Sequence, residues 1–181
     1  MAEFFDALTD DHIKFIENQH IFFVGTAAAE GRVNVSPKGM DAFRVINPNE
    51  VVWLNLTGSG NETAGHVIEN SRMTVMFCSF DKQPLILRLY GHAELIYPRD
   101  AAFPAYHSMF GNQPGTRQFF RMAVNSVQTS CGFAVPLFEL QGERDTLQKW
   151  AINKGDNGIR EYWAEKNQVS IDGRPTAIID T

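Results

Sequence analysis

At 181 residues, 44% hydrophobic and 20% charged, the chain can bury one sizeable core and is too apolar for wholesale disorder. Lys and Arg number 16 against 21 Asp and Glu, so a net charge of −5 argues against nucleic acid or an anionic membrane surface as a partner. Two cysteines (Cys78, Cys131), no signal-peptide pattern at the start and no apolar run of the ~18–20 residues a membrane span needs lead to the expectation of a cytoplasmic protein.

In chain order, the first predicted element is a helix capped by Thr9 or Asp10, with Ile13 and Ile16 at helical spacing. The apolar run 21–24 and the alternating run 32–35, separated by Glu30-Gly31, read as a hairpin. A turn at 47–49 leads into a strand over 51–56, and strands are predicted over 72–80 and 85–96 around the polar turn 81–84. Between them, 57–70 reads as a Gly-rich turn feeding a short helix, with Ser59 or Asn61 as its cap. The second half reads as more helical, with helices predicted over 98–107, 117–122, 142–154 and 159–166, a strand within 124–135, and Gly155 as a helix stop. About six strands arriving in hairpins favour an antiparallel barrel with peripheral helices over βαβ winding.

Standard catalytic signatures are absent, and the five histidines (12, 20, 66, 92, 107) show no metal-ligand spacing, so no metal site is expected. The loop 57–63, Thr-Gly-Ser-Gly-Asn-Glu-Thr, puts hydroxyl and amide groups at the mouth of a helix directly after a strand. Such a terminus can hold a phosphate, or the loop can be simply a capped turn, and Glu62 opposes a dianion placed directly on it. Ser36-Pro37-Lys38-Gly39 sets one cation between rigid and permissive residues, with Arg44 close behind; it is either a phosphate-neutralising pair or a solvated turn. Arg88, in an otherwise aliphatic strand, either guards a site or lies on a polar outer face. Gln128-Thr129-Ser130-Cys131 is a polar cluster suited to the rim of a heteroaromatic ring, and Cys131 has no base beside it in sequence.

The order and spacing of these pieces resemble the pyridoxamine 5'-phosphate oxidase-like group, the FMN-binding split β-barrels. The general pattern spans 11–96, including "SRMTVMF" and "ILRLYGHAEL". "SPKGMDAFRV", "LTGSGNET", "VQTSCGFAVP", "GERDTL" and "SIDG" resemble an uncharacterised branch and extend the likeness over nearly the whole chain.

The resemblance implies a mainly β fold, a six-stranded antiparallel split β-barrel with peripheral helices. It implies a single domain over 1–181, with the barrel core in 1–97 and helices plus a further strand in 98–181 completing barrel and dimer. It also implies a homodimer with FMN in clefts between the subunits. Lys38, Arg44, Ser59, Asn61 and Thr63 match the phosphate-holding positions, Asn55 and Thr57 lie along the ribityl chain or ring edge, and Gln128 or Ser130 approaches the pyrimidine edge. Glu62-Thr63 stands where the oxidases carry a basic pair, and their substrate-covering Arg/His tail has no clear equivalent in 171–175, which argues against vitamin B6 oxidation. The expectation is therefore an FMN-dependent oxidoreductase acting on an unknown small molecule. The alternative is a flavin carrier without turnover, and haem or deazaflavin in the same cleft ranks below both.

Overall fold

The computed structural model describes residues 2–179. Its elements are β1 (Glu3–Phe5), α1 (Asp10–Glu17), β2 (Phe22–Thr26), β3 (Asn34–Lys38), β4 (Phe43–Asn47), β5 (Glu50–Leu56), α2 (Glu62–Glu69), β6 (Arg72–Cys78), β7 (Ile86–Ile96), α3 (Phe103–Met109), β8 (Thr116–Ser130) and α4 (Thr146–Lys166). One antiparallel sheet runs in the order β3-β2-β6-β7-β8-β5-β4, with β1 added to β8. This is the expected mainly β class, a split β-barrel with peripheral helices, built from eight strands rather than six.

Side chains alternate across a strand, so register decides which rows enter the core. Val24, Val75, Leu89 and Val127 lie opposite one another on β2, β6, β7 and β8, and all four are fully buried. Their neighbours Phe23, Met76, Arg88 and Gln128 form the adjacent row on the outer face, which Phe4 of β1 extends. Where β7 crosses β8 the register shifts between Tyr90 and Gly91, and a Cβ on Gly91 would stand 1.9 Å from the Ala123 carbonyl oxygen. Only glycine permits that approach.

The main departure from expectation is β8. Residues 117–122 read as helical, yet they form the first half of a strand paired with both β5 and β7. Phe119 and Phe120 are both fully buried: Phe120 stacks on Trp53 at 4.4 Å, while Phe119 lies 5.1–5.8 Å from the rings of Phe103, Tyr106 and Phe110. A strand covered on both faces loses the alternation by which strands are recognised. The two helices expected after it are both present as the two halves of α4, the first starting at Thr146, and they are separated as expected at Gly155, whose φ of 64° and ψ of 170° are not helical. The expected helix at 98–107 is shorter and later, as α3. Thr9 caps α1 in a reciprocal capping box with His12. Among the described residues, no helix is long and apolar enough to cross a membrane.

Candidate functional site

The site forms where the barrel splits, between β3 and the turn that joins β5 to α2. Asn34, Ser36 and Lys38 recur every second residue on β3, so one face of that edge strand carries an amide, a hydroxyl and an ammonium. Opposite them stand Asn55 and the loop 58–63, and Arg117 of β8 closes the floor of a cavity of about 300 Å³.

Two cations converge on this cleft. Arg117 is 3% exposed; its Nη1 donates to the Gly60 carbonyl at 2.9 Å and to Asn167 Oδ1 at 2.9 Å. Lys38 places its Nζ 5.3 Å from the centre of the Trp53 ring. Burial lowers the Lys38 pKa to about 8, with the Arg117 charge adding to the effect. Burial likewise lowers Arg117 to about 10, which leaves it charged at neutral pH. No carboxylate among the described residues pairs with either cation in an ion pair.

Two buried polar atoms here also have no hydrogen-bond partner, Ser36 Oγ and Arg117 Nε. Buried donors and acceptors are nearly always satisfied, so an unpartnered pair lining one cleft leaves it open to a polar ligand or an ordered water. The N-terminus of α2 adds its unpaired backbone N–H groups, since Asn61 makes no side-chain cap bond. Its amide pairs instead with Gln118, Nε2 to Oδ1 at 2.8 Å. The Glu62 carboxylate lines the cleft too, but is held by the Ile171 backbone N–H at 2.9 and 3.1 Å.

Of the residues named from sequence, the structure brings Lys38, Asn55, Ser59, Asn61 and Thr63 around this one cleft. Thr63 is buried, and its hydroxyl accepts from Asn34 Nδ2 at 3.2 Å. Thr57 lies behind the cleft: its hydroxyl donates to the Gly115 carbonyl at 2.8 Å and accepts from Trp163 Nε1 at 2.9 Å. Arg44 is placed elsewhere. Met40 and Asp41 both adopt left-handed φ values (60° and 53°) after β3, and the turned chain carries Arg44 to a separate pocket. There it forks onto the Asp41 carboxylate at 2.7 Å and lies 4.8 Å over the Phe110 ring. Gln128 and Ser130 sit on the outer face of the sheet, accepting from Tyr90 Oη at 2.8 Å and Arg88 Nη1 at 3.2 Å.

Sequence reading missed Arg117, Gln118 and Asn167, the first two because their segment was taken for a helix. The available signal was an Arg-Gln pair placed directly before a Phe-Phe pair, a charged entry to an apolar strand.

This antiparallel barrel with its small-residue loop feeding a short helix defines a class, the split β-barrels with peripheral helices. The chain belongs to the pyridoxamine 5'-phosphate oxidase family, whose model matches residues 8–131. It is 36% identical to the pyridoxamine 5'-phosphate oxidase family protein ustO of Aspergillus flavus, over 97% of this chain and 78% of the relative. Among solved structures it resembles a putative pyridoxamine 5'-phosphate oxidase from Lactobacillus delbrueckii (TM-score 0.54, 18% identity, 68% of this chain and 94% of that one). It also resembles an FAD-binding protein from Mycobacterium smegmatis (TM-score 0.50, 16% identity, 70% and 97%). At these identities the two structures attest the fold alone.

Proposed function

We propose that the chain binds FMN as a homodimer and serves as a flavin-dependent oxidoreductase for a small molecule. The observation that carries this reading is the pair of carboxylate-free cations, Lys38 and Arg117, beside the unpartnered Ser36 Oγ and Arg117 Nε. A phosphate supplies the charge and the acceptor oxygens that this donor set lacks. Lys38, Ser36 and Thr63 would hold it with the first-turn N–H groups of α2, and Arg117 would bias the floor towards negative charge. Membership of the family supports a flavin as the cofactor.

A cavity of about 300 Å³ takes the phosphate end of a flavin rather than all of it. The rest of the flavin would then lie outside this cleft, where a second subunit would cover it. When bound, FMN supplies hydride and electron transfer. The protein's own part is to anchor the phosphate, orient the ring and limit water.

The carrier reading draws on one observation. The acid lining the cleft, Glu62, is held by the Ile171 backbone N–H, so among the described residues no free carboxylate faces the cofactor's place. Reduction by NAD(P)H separates the two: an oxidoreductase bleaches its flavin band faster than free FMN is bleached under the same conditions and recovers it in air, whereas a carrier gives no such acceleration. For the anchor, Lys38→Ala is expected to weaken FMN binding by about tenfold or more while barely changing riboflavin binding. Equal loss of both ligands would remove Lys38 from the phosphate site.

A further inference from the structure

Residues 131–145 run without helix or strand between β8 and α4, yet they carry Phe133, Leu137, Phe138 and Leu140, each more than half exposed. The segment is not loose chain. The Phe138 backbone N–H donates to the Phe80 carbonyl at 3.0 Å, and the two rings lie 5.2 Å apart. Pinned there, it spans the end of the β2–β3 hairpin and encloses an open cavity of about 1040 Å³. The walls are aromatic and aliphatic, chiefly Phe23, Phe80, Phe138, Leu140 and Trp150. Lys38 lines this chamber as well as the phosphate cleft, so the two cavities meet at that residue.

The volume lies at the upper end of the usual range for small-molecule sites, and aromatic walls favour flat rings. The charged groups set a further restriction. Asp81, Glu139 and Glu143 line the chamber against Arg144 and Lys38, so three carboxylates face two cations. An anionic ligand meets net repulsion there; a neutral or basic one does not.

We propose that the chamber binds a flat aromatic molecule, uncharged or singly positive, beside the Lys38 end of the flavin cleft. That this molecule is the substrate rests on the flavin reading; that the chamber binds it does not.

Calorimetric titration of the full chain, with and without FMN, tests this with 1-naphthol, 1-naphthylmethylamine and 2-naphthoate as neutral, cationic and anionic probes. Naphthol and the amine are expected to bind, and naphthoate at least about tenfold more weakly. Leu140→Asp, an exposed change on the strap, should weaken naphthol by about tenfold and leave FMN affinity within about threefold. Lys38→Ala should do the reverse.

Failure of every naphthyl probe to bind overturns the proposal. So does naphthol binding that Leu140→Asp leaves intact, or naphthoate binding as tightly as naphthol. Equal weakening of FMN and naphthol by Leu140→Asp would mean that the flavin ring itself fills the chamber, and also overturns it. If FMN does not bind while naphthol binds and loses affinity in Leu140→Asp, the flavin reading falls and the chamber stands.

Discussion

Lys38 combines two properties that pull against each other. Its ammonium is taken from water and set near the buried Arg117 charge, and both effects favour the neutral amine, which is why its pKa falls to about 8. A base whose folded pKa lies below its unfolded value costs stability while it is charged. The ligand-free protein should therefore gain stability from this group as pH rises from about 8 towards the ordinary lysine value near 10.5. A phosphate reverses the balance by restoring the charged form, so FMN affinity is expected to fall above pH ~8 by up to about tenfold per pH unit. Riboflavin, lacking the phosphate, should show no such slope, and fluorescence titrations of both ligands from pH 6.5 to 9.5 on the order of half-unit steps would check it. A slope shared by both flavins would place the titrating group at the ring instead. Ser36 adds the other half of the argument: its buried, unpartnered hydroxyl lies on the same strand face two residues away. Ser36→Ala removes an unsatisfied group, so the free protein should keep its stability while FMN binding weakens by roughly 1 kcal/mol.

At the level of elements, the loop before α2 is held from behind by the C-terminal end of α4. Asn167 Nδ2 donates to the Gly58 and Ser59 carbonyls at 3.1 and 3.4 Å, its Oδ1 accepts from Arg117, and Trp163 donates to Thr57 one helical turn earlier. The same amide thus fixes both the loop and the cation beneath it. Asn167→Ala leaves these groups buried and short of partners, with an expected loss of about 1–3 kcal/mol in urea unfolding. It should also weaken FMN, since loop and Arg117 both relax; unchanged FMN affinity would confine Asn167 to a structural role. This clasp was not legible in the sequence, because it joins residues about a hundred positions apart through side chains with no local pattern. The hairpin of β2 and β3, the strands β5 to β7 and the loop before α2 were legible, because turn residues bound each and the strands carry apolar or alternating runs. The second half of β8 was legible as the strand expected within 124–135, but its first half was not: both faces are covered, as in β5, and Arg117, Gln118 and Met122 lack the β-branched run that marks β5. Arg44 shows the other limit: two left-handed residues in succession turned the chain away from the cleft, and nothing in the local composition announces them.

For the molecule as a whole, the unexplained feature is the outer face of the sheet. Phe4, Phe23, Met76, Arg88 and Gln128 form a row there, next to Tyr90, where a solvated face would carry polar residues throughout. Val33 and Val35, at the β3 end of the sheet, are 72% and 66% exposed. Apolar groups gathered at one side of a sheet indicate a surface that is covered in the working protein. A second copy meets that need, and two-fold pairing presents each residue of the face to its equivalent region on the partner. Gln128 and Ser130, which lie outside the Lys38 cleft of their own chain, would then serve the flavin ring of the other. The net charge of −5 works against close approach, so the proposed pairing would depend on this local face rather than on general attraction. Met76→Arg places a second cation across from Arg88 in the row, and duplicates it in both copies. Sedimentation equilibrium is expected to show a dimer for the wild type and a monomer for Met76→Arg at micromolar concentration. Because Met76 itself lies outside the phosphate cleft, a fall in affinity for both FMN and riboflavin in the monomer would report the missing partner residues and not a damaged anchor. A wild-type monomer that holds FMN tightly would contradict the shared cleft, and the Lys38 anchor would then have to hold the flavin without help from a partner.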